Sequence, residues 1–265
     1  MPSARPVALA LALAVAPAAR GGEPPVPLQY NLALDASVTG AMALSTALLA
    51  VYQPALAPST CRWCAPGALD ASVRSALVWN HDFRTADVLS SVIDGVLPAS
   101  AVGYLVLSAS GRGDVDAGLV DSLLVTEAVA GALLLNQVVK LLVGRQRPYA
   151  FYGHDIRASE TEKNLSFYSG HASLAFSVVA ATVTVAAMRG YAGTGIAAGV
   201  GFTLAAGVGY LRIAADQHYL SDVLVGAAAG GLMGWAVPRI FHSPRAGSAP
   251  PAGLRLPPIG WAVAF

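Results

Sequence analysis

Three short stretches carry polar residues out of keeping with their apolar surroundings. In "KLLVGRQRP", Lys140 and Arg147 stand seven residues apart, almost two helical turns, so one helix face ends in two cations. Pro148 disfavours α geometry at Arg147 and helps to end that helix. In "SFYSGH", Ser169 is a candidate N-cap for an apolar run over 170–188. The first N–H groups of such a helix have no partner, Gly170 permits close approach, and His171 stands in the first turn. In "YLRIAADQHYLSD", His218 and Asp222 are spaced i, i+4, which on a helix lets the carboxylate reach one imidazole nitrogen and fix its tautomer. Arg212 lies six residues before His218.

Each stretch alone has an ordinary explanation: snorkelling cations, a routine capping serine, an interfacial helix start with a local His–Asp bond. Together they sit at the end of one apolar segment, the start of the next, and the turn between the last two. Antiparallel connectivity puts those three places on one side of a bundle. Three cations, a helix N-terminus and two histidines then form a seat for a tetrahedral oxyanion. A metal held by His154, His171, His218 and Asp222 is the rival, but Lys140, Arg147 and Arg212 would repel a divalent cation at close quarters. No metal and no cofactor is expected there.

The elements that must hold these residues follow from composition. The 265-residue chain is 55% hydrophobic and 12% charged, with a mean hydropathy of +0.58, whereas soluble domains carry about 25% charge. A net charge of +1 offers no basic field for nucleic acid and no acidic field for cations, so charge chemistry has to be local. Apolar segments occupy 36–52, 88–108, 119–143, 170–188, 191–211 and 223–237. The fourth and fifth are free of charge and about as long as a bilayer requires, whereas the first and sixth read as short. Asp94 and Pro98 flaw the second segment, Asp121 and Glu127 the third. Small residues crowd "GTGIAAGVGFTLAAGVGY" and "GAAAGGLMGWAV", as at close helix contacts in membranes. A soluble helical core is the competing reading, but segments apolar on every side suit lipid better. The expected fold is all-α, a bundle of five or six helices that cross a membrane. Between the first two segments, "PGALDASVRSALVWNHDF" reads as a short amphipathic surface helix.

Residues 1–20 read as an export signal: Arg5, the apolar "PVALALALAVA", then the small-residue context "APAAR". Cys61 and Cys64 are the only cysteines; outside the cytoplasm they could close a local disulfide, and two idle thiols are the alternative. Arg189, Arg239 and Arg245 mark the loops after the fourth and sixth segments as cytoplasmic. A cleaved signal followed by three spans would instead carry the end of the third segment inside. The parity of the spans does not close on sequence alone.

Taken in order, "KLLVGRQRP", "SFYSGH" and "LRIAADQHYLSD" resemble the three-part signature of the type 2 phosphatidic acid phosphatase superfamily, which includes bacterial acid phosphatases and vanadium haloperoxidases. The usual pattern is Lys, six residues, Arg-Pro; then Pro-Ser-Gly-His; then Ser-Arg, five residues, His, three residues, Asp. Tyr168 stands where the family usually has Pro, and Leu211 where it has Ser. The resemblance spans 119–237, leaving 21–118 as an N-terminal apolar region and 238–265 as a Pro/Gly-rich tail.

The resemblance implies a phosphatase working by double displacement. His218 is the implied nucleophile, Asp222 the partner of its other N–H, and His171 the acid that later acts as base. Lys140, Arg147, Ser169, Gly170 and Arg212 are the implied phosphate ligands. The implied substrate is a lipid phosphate or a polyprenyl diphosphate, in a membrane of the bacterial inner-membrane type with the site facing the periplasm. A soluble exported acid phosphatase, a vanadate-dependent haloperoxidase and a non-enzymatic membrane bundle are the alternatives. Nucleic acid is not an expected partner. His154 and Arg157, in a loop over 149–168 expected to overhang the pocket, are candidate head-group contacts.

Overall fold

The computed structural model describes residues 23–80, 82–154 and 160–245. The expected export signal, Arg157 and the tail beyond Arg245 lie outside the described residues. Among these residues the regular elements are helical: α1 (Leu32–Val51), α2 (Gln53–Leu56), α3 (Ala68–Leu77), α4 (Phe83–Ser110), α5 (Val115–Val143), α6 (Pro148–Tyr152), α7 (Gly170–Arg189), α8 (Thr194–Ala214) and α9 (Leu220–Phe241), with a 3₁₀ turn at Glu160–Glu162. Six of them, α1, α4, α5, α7, α8 and α9, are long and apolar enough to cross a membrane. The short α3 lies where the amphipathic surface helix is expected.

Local chemistry sets the ends. Asn31, Asp82, Asp114 and Ser169 each accept a hydrogen bond from the amide three residues on, capping α1, α4, α5 and α7. Gly144, at a left-handed φ of 61°, stops α5. One expectation needs correction. The first and sixth segments are not short, since α1 runs 20 residues and α9 runs 22. Polar residues at their rims, Asp35 and Asp222, are turned inward and stay helical. The second segment carries Asp94 and Pro98 within one helix, since α4 continues for 28 residues through both.

The bundle is built around α7, whose apolar window is 72% buried, against 11% for α1. Leu32, Leu34, Leu44, Leu48 and Val51 of α1 point outward, a surface suited to lipid. Ala181, Val185 and Ala186 of α7 pack with Leu105 of α4 and with Leu124 and Ala128 of α5. On its other flank α7 lies directly on α9. Gly226, Gly230 and Gly234 follow one another at helical spacing, and a Cβ on them would stand 2.5, 2.1 and 2.4 Å from the carbonyl oxygens of Ser169, Ser173 and Ser177. The small residues thus serve backbone contact, as close helix pairs in membranes require.

Six crossings bring both ends of the described chain to one face, where Leu28 bridges to Pro244 and the Gln29 amide donates to the Ser243 carbonyl. The opposite face gathers the ends of α5 and α8 and the starts of α7 and α9. Cys61 and Cys64 are joined as a disulfide in a loop on that second face, where the Arg62 amide donates to the Gly144 carbonyl. Arg189, by contrast, is a poor marker of orientation. It is buried and paired with Asp121 at 2.6 Å.

Candidate active site

The end of α5 delivers the first cations. Lys140 points toward the start of α7, where a Cβ on Gly170 would lie 3.4 Å from its Nζ and 2.9 Å from Oδ1 of Asn136. A side chain at Gly170 would therefore displace the Asn136 amide before it touched the ammonium. Among the described residues, Lys140 has no hydrogen-bond or ion-pair partner. Arg147 is buried, donating from Nε to the Glu162 carbonyl at 3.0 Å and from Nη1 to Gln217 Oε1 at 2.6 Å. Its Nη2 stands 3.8 Å from Glu162, too far for a firm pair.

The start of α7 supplies the seat. Ser169 is fully buried; its amide donates to the Asp222 carbonyl at 3.0 Å, and its Oγ accepts from the Ala172 amide at 3.4 Å. The amides of Gly170 and His171, first in the helix, have no partner among the described residues. His171 lies close enough to Arg212, Lys140 and Arg147 for their charges to act on it. Its Nε2 is 3.9 Å from Asp94 and 3.5 Å from the Ser91 hydroxyl, both on α4.

The turn between α8 and α9 completes the group. Asp216 takes a left-handed φ of 59° and is held by Arg74, with Nε at 2.6 Å from its Oδ1. The chain then doubles back, so that the Gln217 and His218 amides donate to the Arg212 carbonyl. Arg212 is buried, paired with Asp87 and donating to Ser90 at 3.0 Å, while its Nε is buried without a partner. His218 precedes the helix rather than lying on it, since Tyr219 is the N-cap of α9. The expected His218–Asp222 hydrogen bond is therefore not formed: Nδ1 stands 3.7 Å from Oδ2 and has no partner. Asp222 is already engaged, accepting from Arg145 at 2.5 Å, Ser166 Oγ at 2.6 Å and the Tyr219 amide at 3.0 Å. Burial pushes the His218 imidazole well below its ordinary pKa, and the charges of Arg147, Arg212 and Lys140 add to that, while the Ser166 backbone pulls the other way. The ring is neutral near pH 7, with a lone pair to give.

Every residue expected at the site is thus brought to one end of the bundle. The spare donors are the Lys140 ammonium, Arg147 Nη2, Arg212 Nε and two helix N-terminal amides. His154 falls to one side, with Nδ1 2.6 Å from Asp216 and the ring stacked on Phe83 at 5.0 Å. The residue that sequence reasoning missed is Arg145. It is 1% exposed, lies between the rings of Trp63 and Tyr219 at 3.8 and 4.4 Å, and ties Asp222 to Asp70. Asp70, Asp87, Ser90, Asp94 and Asn136 were missed for a common reason: their role appears only once α3, α4 and α5 are packed beside the signature helices.

Residues 121–245 match the family described as the PAP2 superfamily. This stretch belongs to the PAP2 superfamily. Membership supports a phosphatase. A crystal structure of the first transmembrane PAP2 type phosphatidylglycerolphosphate phosphatase, from Bacillus subtilis, is similar at 20% sequence identity and a TM-score of 0.46, over 74% of this chain and 94% of that one. No curated protein matches the chain. Within the PAP2 domain both departures from the usual signature are accommodated. The Tyr168 carbonyl accepts from Asn136 Nδ2 at 2.8 Å, which holds the loop entering α7 to α5. Leu211 packs with Ala86, Ala214 and Ala215, and Arg212 donates to the Ser90 hydroxyl.

Proposed function

We propose that this PAP2 domain hydrolyses a lipid phosphate or a polyprenyl diphosphate through a phosphohistidine on His218, without a metal ion. The observation that carries the reading is the set of donors without a hydrogen bond among the described residues, Lys140 Nζ, Arg212 Nε and the Gly170 and His171 amides, with Arg147 Nη2 held only by a 3.8 Å contact to Glu162, gathered around a neutral, buried His218. The His218 ring attacks phosphorus while the cations and amides hold the phosphoryl oxygens as charge spreads over them. His171 protonates the leaving oxygen, then takes a proton from the water that cleaves the P–N bond. As His218 becomes cationic, Asp222 draws in from 3.7 Å to a hydrogen bond of about 2.8 Å. Outward-facing leucines on α1 and the other apolar helices favour a lipid-embedded enzyme over a soluble exported one.

The reading also orients the protein. The Cys61–Cys64 disulfide lies on the site's face, which suits the periplasm of a bacterial inner membrane. Six spans then keep residue 23 on the cytoplasmic side. A cleaved export signal would place residue 23 outside and the site inside, so the two sequence expectations exclude each other. The periplasmic site is the one retained.

The decisive experiment is hydrolysis of a substrate panel (lipid phosphates, polyprenyl diphosphate, water-soluble monoesters) by detergent-purified wild type and His218→Ala. Radiolabelled substrate should leave an acid-labile phosphoryl group on the wild type alone. Undiminished turnover in His218→Ala would remove the nucleophile and the mechanism with it.

A further inference from the structure

The face opposite the phosphate site carries a second group of titratable side chains. Asp35 in the first turn of α1, Glu127 in α5 and His242 at the C-cap of α9 are all buried, and one ligand atom from each lies within 4.8 Å of the others. Among the described residues, no lysine or arginine pairs with either carboxylate.

Hydrogen bonding shows what the group lacks. His242 Nδ1 faces the Gln29 carbonyl at 3.2 Å. A carbonyl only accepts, so Nδ1 carries a proton and donates to it, which leaves Nε2 to face the carboxylates. Nε2 stands 3.2 Å from Glu127 Oε2, and both atoms are buried without a hydrogen-bond partner among the described residues. His242 is 2% exposed and Glu127 8%, so bulk water does not reach either group. Thr39, one turn beyond Asp35 on the same face of α1, adds a buried hydroxyl oxygen that is also without a partner. A cation between them would satisfy the imidazole nitrogen and the Glu127 carboxylate together.

We propose that Asp35, Glu127 and His242 bind one divalent transition-metal ion of the zinc or manganese type, tying the two ends of the chain together. An imidazole with two carboxylates suits such an ion, whereas magnesium and calcium prefer oxygen alone. Two carboxylates balance its charge. The Gln29 carbonyl orients the ring as outer partners of metal-bound histidines do. Ligand atoms around zinc stand about 3.4 Å apart, so the widest pair here closes by at most about 1.4 Å, within reach of side-chain rotation. The site shares no residue with the phosphate seat, so its role is to stabilise the fold rather than to carry the chemistry.

The test uses full-length protein in detergent, stripped with chelator, desalted and dialysed against micromolar Zn²⁺. Bound metal is measured by mass spectrometry, and thermal unfolding is followed in Zn²⁺, Mg²⁺ or chelator. Wild type should hold about one more zinc per chain than His242→Ala, and Zn²⁺ but not Mg²⁺ should raise Tm in the wild type alone. Glu127→Gln, which keeps the side chain's size, should weaken zinc binding by about 100-fold and serves if His242→Ala does not fold. Equal zinc in wild type and variants, no zinc in the wild type, or a Tm that responds to pH but not to zinc would each overturn the proposal. The last result would mean that a shared proton fills the gap. None of these readouts depends on phosphatase turnover, so the two readings fail separately.

Discussion

Replacing Gly226 with alanine asks whether the α7–α9 contact sets the geometry of the site. The new Cβ would stand 2.5 Å from the Ser169 carbonyl oxygen, where carbon and oxygen come to rest at about 3.3 Å. The helices have to part there by about 0.8 Å. Rotation of a side chain cannot absorb this, because the clash is with backbone. The Ser169 amide is also held by the Asp222 carbonyl at 3.0 Å, so the strain reaches Asp222 and the start of α9 as well. The displacement moves Gly170 and His171 relative to His218, and misplacing reacting groups by about 1 Å costs about 100-fold in rate. We expect kcat for a phosphomonoester in mixed micelles to fall by about that factor, with the protein still monodisperse. Gly231→Ala is the control: it lies on the same helix, nothing stands within 4 Å of its Cβ position, and its activity should be unchanged. It should gain about 0.5–1 kcal/mol from helix propensity. Wild-type kcat in Gly226→Ala, or an equal loss in Gly231→Ala, would refute the claim that this contact positions the seat.

Three further outcomes follow from the geometry. Arg145→Met leaves Asp70 and Asp222 buried without their shared cation, and should cost about 3–5 kcal/mol of unfolding free energy in detergent; a loss below about 1 kcal/mol would mean that those carboxylates have other support. His218 should make stability pH-dependent. Its folded pKa lies below 6.5, so the unfolded chain takes up a proton first as pH falls, and its contribution, fully present above pH 6.5, is lost on acidification toward the folded value. Wild type should lose up to about 1.4 kcal/mol per pH unit more than His218→Asn over that range, and parallel curves would contradict the burial described. Hydrolysis should persist in excess chelator well below the unfolding temperature and be blocked by vanadate, since fixed cations hold the phosphoryl group. Activity restored only by added magnesium would count against the mechanism.

Much of the candidate site was legible because its parts are local. Lys140 and Arg147 share a helix face through periodicity, and Ser169 caps α7 because serine before an apolar run accepts a nearby amide hydrogen. The same local logic brought His218 and Asp222 within 3.7 Å but missed how they are held. Equal spacing looked helical, but Tyr219 starts the helix, and Asp222 spends its oxygens on capping that start and on Arg145. Arg145 itself was invisible. Two residues from Arg147 in the sequence, it reads as one more interfacial cation until Trp63, Tyr219 and Asp70 enclose it.

By itself, the sequence determined an all-α membrane bundle, because apolar length and the lack of charge are properties of single segments that lipid selects without reference to neighbours. It also determined which cations and imidazoles stand near helix ends. Tertiary structure alone decided which donors stay free and which are consumed. Asp87 takes one arm of Arg212 and leaves its Nε bare, Gln217 takes one arm of Arg147, and Gly226 lets α9 reach the α7 carbonyls. The physical reason is that pairing and close contact depend on distances between segments far apart in the chain, and no periodicity within one helix encodes them.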